Sequence, residues 1–294
     1  MNYKRIFSNR DTRFKILNLL SFIPDKLMIK IQYYIKLKRL PNILNPSRFT
    51  EKLQWYKLYY RDPKMSIAAD KYKVREYITE KGLNYLLVDL YDVIDSPNKI
   101  NLEKLPNKFV VKTTNGSGTN IFIKNKKDLD EHEIKKQLED WLNRNISAAG
   151  REWAYKDIEP KIIFEQFLED EYQKDGVNDF KFLCFNGEPK YIIHDVDRFN
   201  NHLRNTYDIN WNYIPVSSDV KNGPDAFPKP NQLERMIEIS KILSEDFPFV
   251  RVDFYNVNGK IYFGELTFYP WTGYVQFNPD KFDLILGNEF DLPK

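Results

Sequence analysis

The sequence predicts an α+β fold, and three features of the chain carry that prediction. Two strand-like runs, 180–186 and 189–194, are separated by an Asn-Gly turn signal. A second pair, 250–255 and 260–266, is separated by Asn-Val-Asn-Gly. Residues 230–245, between the two pairs, have the apolar spacing of a helix. Antiparallel hairpins mixed with helices are typical of the α+β class.

The composition is that of a folded protein. The chain has 294 residues, of which 42% are hydrophobic and 15% aromatic, so it can bury a sizeable core. No apolar run approaches the roughly 18 residues needed to span a bilayer, and the start lacks the apolar core of a secretory signal. The single cysteine, Cys184, lies in the apolar run 182–185 and is expected to be a buried hydrophobic residue. These features predict a cytoplasmic protein.

The first 48 residues are predicted to form a basic helical extension. Residues 1–47 contain ten Lys or Arg and two Asp, although the whole chain carries a net charge of only +3. Apolar residues recur near helical spacing on both sides of Pro24. Two interpretations stay open. Residues 1–45 contact an anionic membrane surface or an acidic polymer, or they form a helical hairpin that packs on the main domain and exposes a basic face.

Helices and strands alternate along the middle of the chain. The predicted helices are 50–60, 68–82 and 128–146, and the predicted strands are 85–89, 108–112, 120–124 and 161–167. The sequence contains no internal repeat and no low-complexity tract.

A loop of small residues lies between two of these strands. The strand that ends at Lys112 runs into Thr-Thr, followed by Asn115, Gly116, Ser117 and Gly118, and a second strand follows. Backbone N–H groups of such a loop can surround a phosphate, and the lysine adds a positive charge. The pattern predicts a flap over phosphates, unlike a P-loop, which needs a helix after its glycines. An ordinary structural turn is the alternative.

Two carboxylates are expected to converge in the last hairpin. Asp253 lies two residues after Arg251 on one strand, and Glu265 lies on the next. If the turn centres on Asn258-Gly259, the two carboxylates share a rung and point to the same face. Buried carboxylates need a compensating cation, and oxygen ligands of this kind suit Mg²⁺ held between protein and phosphates. A structural arginine–carboxylate pair is the alternative.

A polar cluster follows the strand at 189–194. It contains Asp195, Asp197, His202 and Arg204, and such clusters at a strand end are typical of ligand-facing loops. A solvated surface loop is the alternative. Three His, one Cys and no Gly-x-Ser-x-Gly argue against thiolate zinc clusters and nucleophilic triads. The sequence has no nucleic-acid-binding motif, so no nucleic-acid partner is expected.

Taken in order, these features resemble an ATP-grasp domain, and more narrowly the TupA-like ATP-grasp family linked to teichuronopeptide and other surface-polysaccharide synthesis. The resemblance covers about residues 49–287. It implies an ATP-grasp fold of two α+β subdomains that clasp ATP, formed by residues 49–294. The nucleotide-lid and hinge half is expected at about 83–168, and the metal and substrate half at about 169–287.

The resemblance also implies which residues bind the nucleotide. Lys71, in Ala-Asp-Lys-Tyr-Lys-Val-Arg, matches the first nucleotide-binding lysine, and Lys112 matches the second. Residues 115–118 match the loop that covers the phosphates. Asp179 stands where the family places a ribose contact. The segment Ile-Ile-Phe-Glu-Gln-Phe-Leu is similar to the adenine hinge, which implies base-binding roles for Glu165, Gln166, Phe167 and Leu168.

The last hairpin matches the family's metal site. The resemblance makes Asp253 and Glu265 the magnesium-bridging carboxylates and Arg251 the charge-stabilising residue. Thr267 stands where many ATP-grasp enzymes have Asn, and we count it as a third metal-site residue through its hydroxyl. ATP and Mg²⁺ are therefore the expected cofactors.

The resemblance implies an ATP-dependent carboxylate–amine ligase that forms an amide through an acyl phosphate. The expected substrates are an amino acid and a uronic acid of a capsular or cell-wall polysaccharide, with His202 and Arg204 orienting the acceptor. A glycosyltransferase, which the Asp-x-Asp spacing of Asp195 and Asp197 would suit, or a sugar kinase of the same pathway is the alternative. A non-catalytic glycan- or membrane-binding module is a third.

Overall fold

A computed structural model describes residues 10–170, 177–198, 200–224 and 226–293. The helices are α1 (Arg10–Leu19), α2 (Asp25–Leu37), α3 (Phe49–Tyr59), α4 (Pro63–Ala69), α5 (Val74–Glu80), α6 (Glu131–Leu142), α7 (Ile146–Gly150), α8 (Leu233–Ser244) and α9 (Lys281–Glu289). The strands are β1 (Leu90–Ile94), β2 (Phe109–Thr113), β3 (Asn120–Ile123), β4 (Ile162–Gln166), β5 (Asp179–Phe185), β6 (Glu188–Val196), β7 (Leu203–Asp208), β8 (Tyr213–Ile214), β9 (Phe249–Val257) and β10 (Lys260–Thr267).

The strands form two antiparallel sheets, which confirms the α+β class. The smaller sheet has the order β1-β4-β2-β3 and the larger has the order β10-β9-β5-β6-β7-β8. Each sheet has its own cluster of buried apolar side chains. The boundaries predicted at 83–168 and 169–287 stay a prediction.

The predicted strand at 85–89 is wrong. The chain makes a short 3-10 turn at Asn84–Leu86, and the strand begins at Leu90, which pairs with β4. Leu83 and Leu86 are three residues apart, and both pack into the core of the larger sheet. This burial holds the segment in a helical turn rather than in the smaller sheet.

Both predicted hairpins are confirmed, and each turns on Asn-Gly. Asn186 and Gly187 have φ of 50° and 81°, and Asn258 and Gly259 have φ of 51° and 77°. Positive φ at both central residues defines the tight turn that matches the twist of paired strands. The predicted helix between the hairpins is α8, which packs on β5, β6 and β9.

Helix α2 packs on the main body through one face. Its Tyr33 hydroxyl lies 2.7 Å from the Thr50 hydroxyl, and Gln32 donates to the carbonyl of Ala149 and accepts from Tyr274. The contacts of α2 agree with the interpretation in which the extension packs on the main domain, and the helical hairpin stays a prediction. The exposed face was predicted to be basic, and this is incomplete, because it also carries apolar side chains. These are Leu27, Ile31, Tyr34 and Ile35.

Two further predictions concern apolar segments. Cys184 is fully buried, as expected for a small apolar residue. Over the described part of the chain, none of the helices combines the length and hydropathy required to cross a membrane.

Candidate active site

One face of the larger sheet carries rows of charged side chains. Glu265, Asp253 and Lys181 are successive cross-strand partners on β10, β9 and β5. On the next rung of this face, two residues away, Asp179 is the partner of Asp195. Cross-strand partners and residues two apart share a face, so these side chains converge. The opposite face buries apolar side chains against α8.

The position of Glu265 depends on a bulge at Gly264. Phe263 pairs with Phe254, but the next partner of Asp253 is Glu265 rather than Gly264. The turn at Asn258-Gly259 alone would place Gly264 opposite Asp253 and Glu265 opposite Val252 on the core face. The predicted pairing of the two carboxylates is therefore confirmed, but the predicted cause is wrong, because the bulge and not the turn produces it. A β-carbon on Gly264 would lie 3.0 Å from the Asp253 carbonyl oxygen, which favours glycine here.

Arg251 joins the polar side chains of this hairpin. Its Nε and Nη2 donate to the two Asp253 oxygens at 2.7 and 2.6 Å, and Nη2 also donates to Glu265 at 2.9 Å and to Thr267 at 3.1 Å. Burial raises the pKa of Asp253 to about 6 in spite of the arginine. Burial also opposes the ionisation of Glu265, but Arg251 and Lys71 hold its pKa below the ordinary value.

The donor set fits a magnesium ion that is shared with phosphates. The described residues contain no group of three or more His, Cys, Asp or Glu that could hold a metal without other ligands. Mg²⁺ usually takes one or two protein carboxylates and completes its shell with phosphate oxygens and water. Asp253 and Glu265 supply two such carboxylates side by side. The Thr267 hydroxyl donates to Glu265 at 3.1 Å and accepts from Arg251, so in this structure it orients those two side chains.

Two lysines and a glutamate lie on or beside the smaller sheet. Lys71 donates to the carbonyls of Thr113 and Gly116. Burial lowers the pKa of Lys71 to about 8, opposed by the charge of Glu265. Lys112 lies 2.7 Å from Glu165. Glu165 is therefore ion-paired with Lys112 rather than free to accept a hydrogen bond from the adenine base.

The predicted phosphate loop divides into two parts. The Gly116 carbonyl faces Lys71, and Ser117 lines the same cavity as Arg251 and Glu265. The Asn115 side chain is buried and donates to the carbonyls of Trp141 and Arg144 at 3.5 Å. It therefore anchors the loop to the end of α6 instead of pointing toward a phosphate. Gly118 is exposed and has φ of 69°, which glycine adopts without strain.

The predicted hinge lies at the end of β4. The Gln166 backbone N–H donates to the Asp89 carbonyl at 2.9 Å. The Phe167 ring meets that of Phe122 edge to face at 6.2 Å, and Leu168 is half-buried. Asp179, the predicted ribose contact, pairs with Lys181 at 2.9 Å and with Arg198.

A buried carboxylate holds both predicted acceptor residues. Asp195 accepts from Arg204 at 2.6 and 3.0 Å and lies 3.1 Å from His202 Nε2. Burial opposes the ionisation of Asp195, but its hydrogen bonds with His202 and Arg204 and the charge of Lys181 hold its pKa well below the usual range. The Arg204 guanidinium lies 5.8 Å from the ring centre of Trp271, which lines the cavity. Arg204 therefore lies beside the cavity without lining it, and His202 shares the Asp195 carboxylate with Arg204.

A cavity of about 540 Å³ opens beside the last hairpin. The predicted residues that line it are Lys71, Gly116, Ser117, Arg251, Glu265 and Thr267. The predicted residues outside its lining are Lys112, Asn115, Gly118, Glu165, Gln166, Phe167, Leu168, Asp179, His202, Arg204 and Asp253. The cavity thus gathers Lys71, part of the predicted phosphate loop and two of the predicted metal-site residues, Glu265 and Thr267.

Sequence reasoning missed two cations of the site. Lys181 lies 2.9 Å from both Asp179 and Asp195 and is the cross-strand partner of Asp253. The signal was present, because a lysine inside the apolar run Phe-Lys-Phe-Leu-Cys-Phe is costly to bury without carboxylate partners. Arg75 lies 3.5 Å from Glu165 and donates to the Val88 carbonyl, and no local sequence signal indicated these contacts.

The fold and the arrangement of the site define an ATP-grasp protein. The model of the family described as TupA-like ATPgrasp matches residues 51–291, and the chain belongs to this family. The range agrees with the resemblance seen over residues 49–287. A search of curated proteins found no match.

Solved structures of several ATP-grasp ligases are similar to this chain. The D-alanine–D-alanine ligase of Helicobacter pylori is 17% identical, with a TM-score of 0.45, over 84% of this chain and 70% of the ligase. The Bacillus anthracis enzyme complexed with ATP is 15% identical, with a TM-score of 0.44, over 69% of this chain and 56% of the ligase. N5-carboxyaminoimidazole ribonucleotide synthetase from Thermus thermophilus is 11% identical, with a TM-score of 0.41, over 74% of this chain and 51% of the synthetase. The chain therefore spans little more than half the length of the Bacillus anthracis ligase and of the synthetase.

Proposed function

We propose that this chain is an ATP-dependent carboxylate–amine ligase that attaches an amino acid to a uronic acid of a capsular or cell-wall polysaccharide. The observation that carries the proposal is the position of Arg251. It touches Asp253 and Glu265, and together with Lys71 it forms the polar end of a cavity. This arrangement provides cations for an anionic substrate beside carboxylates that suit magnesium.

The proposed reaction has two steps. A uronate carboxylate oxygen attacks the γ-phosphorus of ATP, and ADP leaves. The amine nitrogen of the amino acid then attacks the acyl carbon and loses a proton, and phosphate leaves as the amide forms. A magnesium ion held by Asp253 and Glu265 would neutralise negative charge on the phosphates.

The residues of the chain have distinct roles in this proposal. Lys71, Lys112 and the backbone N–H groups of 115–118 bind the phosphates and neutralise the charge that develops during transfer. Arg251 orients the carboxylate and stabilises the oxyanion that forms on amine attack. Glu165 positions Lys112 through the 2.7 Å ion pair, and the end of β4 supplies main-chain groups to the base. His202 and Arg204 help to orient the acceptor.

The glycosyltransferase alternative finds little support in the geometry. Such an enzyme would use Asp195 and Asp197 as metal ligands, but Asp195 is fully buried and is held by Lys181, His202 and Arg204. The sugar kinase alternative differs from the ligase in its products.

The decisive experiment is a product analysis. The protein is incubated with ATP, Mg²⁺, an oligosaccharide of uronic acids and pooled amino acids. The ligase should release ADP and phosphate in equal amounts and add the mass of an amino acid minus one water to the sugar. ADP with a phosphorylated sugar and no free phosphate would indicate the kinase instead. Glu265→Gln should abolish turnover, whereas the exposed Glu234→Gln should leave it unchanged.

We also propose that the extension makes a peripheral contact with the anionic inner face of the cell membrane. The support is the exposed side of α2, where Leu27 and Tyr34 are 51% and 55% exposed and stand beside Lys26 and Lys30. Apolar residues flanked by lysines are typical of a helix that lies in a membrane interface.

A further inference from the structure

The cavity beside Arg251 has two chemically different ends. Its polar end contains Lys71, Arg251 and Glu265. Its other end lies between the main body and the N-terminal helices, where the lining is mostly apolar but also includes Gln32, Lys36 and Glu152. The lining residues that helices α1 and α2 and their connection supply at this end include Phe14, Leu17, Leu20, Ile23, Met28 and Ile31.

The apolar end opens on the exposed side of α2. Ile31 and Ile35 line the cavity, yet they are 40% and 37% exposed to solvent. They therefore form its mouth. Leu27 and Tyr34 continue the exposed apolar surface from this mouth along the same helix, and Lys30 lies beside it. The cavity and the proposed membrane contact are thus continuous.

The nucleotide does not account for this apolar end. The residues proposed to hold the base, namely Gln166, Phe167 and Leu168, lie outside the cavity lining, as does Lys112. A volume of 540 Å³ lies in the range of about 300–1,000 Å³ that is typical of small-molecule sites. The mostly apolar lining favours a ligand that is apolar along much of its length, and Lys71 and Arg251 favour an anionic group at the end that they contact.

We propose that the cavity binds the apolar chain of an amphipathic, membrane-held acceptor and presents the acidic head of that acceptor to Arg251. The proposal rests on the ligase function in one respect, that the head is the carboxylate to be activated. The chain enters between Ile31 and Ile35, directly from the bilayer on which α2 rests. The enzyme thereby selects an acceptor that is attached to lipid over a free sugar acid of the same head group.

The test compares octyl and methyl β-D-glucuronide as probes in isothermal titration calorimetry, below the concentration at which octyl chains form micelles. Each buried methylene contributes a factor of about four in affinity, so the octyl compound should bind at least about 100-fold more tightly. Ile31→Glu places a charge at the mouth and should reduce this preference below about tenfold. Ile67→Glu is the matched control, because Ile67 is also 40% exposed but lies outside the cavity lining.

The outcomes separate the cavity from the chemistry. Equal affinities for the two glucuronides, or an equal loss of preference in both variants, would overturn the proposal. A preference for the octyl chain that only Ile31→Glu removes would support it. Turnover is measured separately with ATP and Mg²⁺. A preference for the octyl chain without turnover would refute the ligase assignment and leave the cavity assignment standing. Turnover without that preference would refute the cavity assignment and leave the ligase assignment standing.

Discussion

Glu265 lies opposite Asp253 across the β9–β10 ladder, one residue out of the register that the Asn258-Gly259 turn sets. Gly264 takes up the difference as a bulge. Side chains alternate between the two faces of a sheet, so this single extra residue decides whether Glu265 faces the site or the core.

Loss of the bulge should remove activity by moving Glu265 rather than by changing it. A β-carbon at position 264 would lie 3.0 Å from the Asp253 carbonyl oxygen, so Gly264→Val opposes the bulge and favours the regular register, in which Glu265 lies opposite the buried Val252. We expect kcat/KM to fall at least about 100-fold and the free energy of unfolding to drop by several kcal/mol. Steady-state kinetics and urea unfolding measure the two effects.

Deletion of Gly264 is the control for this prediction. Glu265 then follows Phe263 directly and pairs with Asp253 without a bulge, so this variant should retain more activity than Gly264→Val. Wild-type activity in Gly264→Val would contradict the role of the bulge.

Removal of Arg251 should destabilise the protein through the carboxylates that it leaves behind. Arg251→Ala leaves the buried Asp253 and the half-buried Glu265 side by side without their shared cation. We expect a loss of about 2–3 kcal/mol in the free energy of unfolding, less than for a fully buried pair, because solvent screens Glu265. Adding Asp253→Asn to this variant should restore part of the loss, because it removes one of the uncompensated charges. A double variant no more stable than Arg251→Ala in urea unfolding would show that repulsion is not the cause.

Activity should depend on pH through two shifted groups. Burial raises the pKa of Asp253 to about 6 and lowers that of Lys71 to about 8. The proposed mechanism uses anionic Asp253 and cationic Lys71. Hence kcat/KM should rise as pH increases through about 6 and fall as pH increases through about 8. Lys71→Arg keeps its charge at high pH and should lose the alkaline limb while keeping the acid limb, whereas an unchanged alkaline limb would exclude Lys71 as its source.

Binding to membranes should depend on the apolar residues of α2 as well as on its lysines. The variant Leu27→Glu/Tyr34→Glu should bind vesicles that contain phosphatidylserine at least about tenfold more weakly than the native protein, since it loses buried apolar area and gains repulsion. Co-sedimentation with vesicles measures this. Ile67→Glu should bind as the native protein does. Equal binding of the native protein to neutral and anionic vesicles would contradict the electrostatic part.

The parts of the fold that local sequence determines were predictable. Asn-Gly pairs require positive φ and therefore marked both hairpin turns, and apolar periodicity marked α8. The strand misplaced at 85–89 shows the limit. Leu83 and Leu86 are held in a turn by a core formed from distant parts of the chain, which no local pattern reveals.

The identity of the site residues was predicted better than the contacts between them. Arg251, Asp253 and Glu265 were found because charges in apolar strands demand partners. Which partner each side chain takes depends on contacts far apart in the chain. The Asn115 side chain donates to the carbonyls of Trp141 and Arg144, at and just after the end of α6, although its position in the loop suggested a phosphate contact. Lys181 carried the same burial signal as Asp253 and was overlooked.

The wall that α1 and α2 give to the cavity makes the extension part of the machinery for choosing an acceptor. The residues proposed to perform the chemistry all lie beyond position 70. Acceptor length and reaction type are therefore encoded in separate stretches of the chain. Grafting the extension of a relative onto this body should transfer the relative's preference for acceptor length while the bond that is formed stays the same.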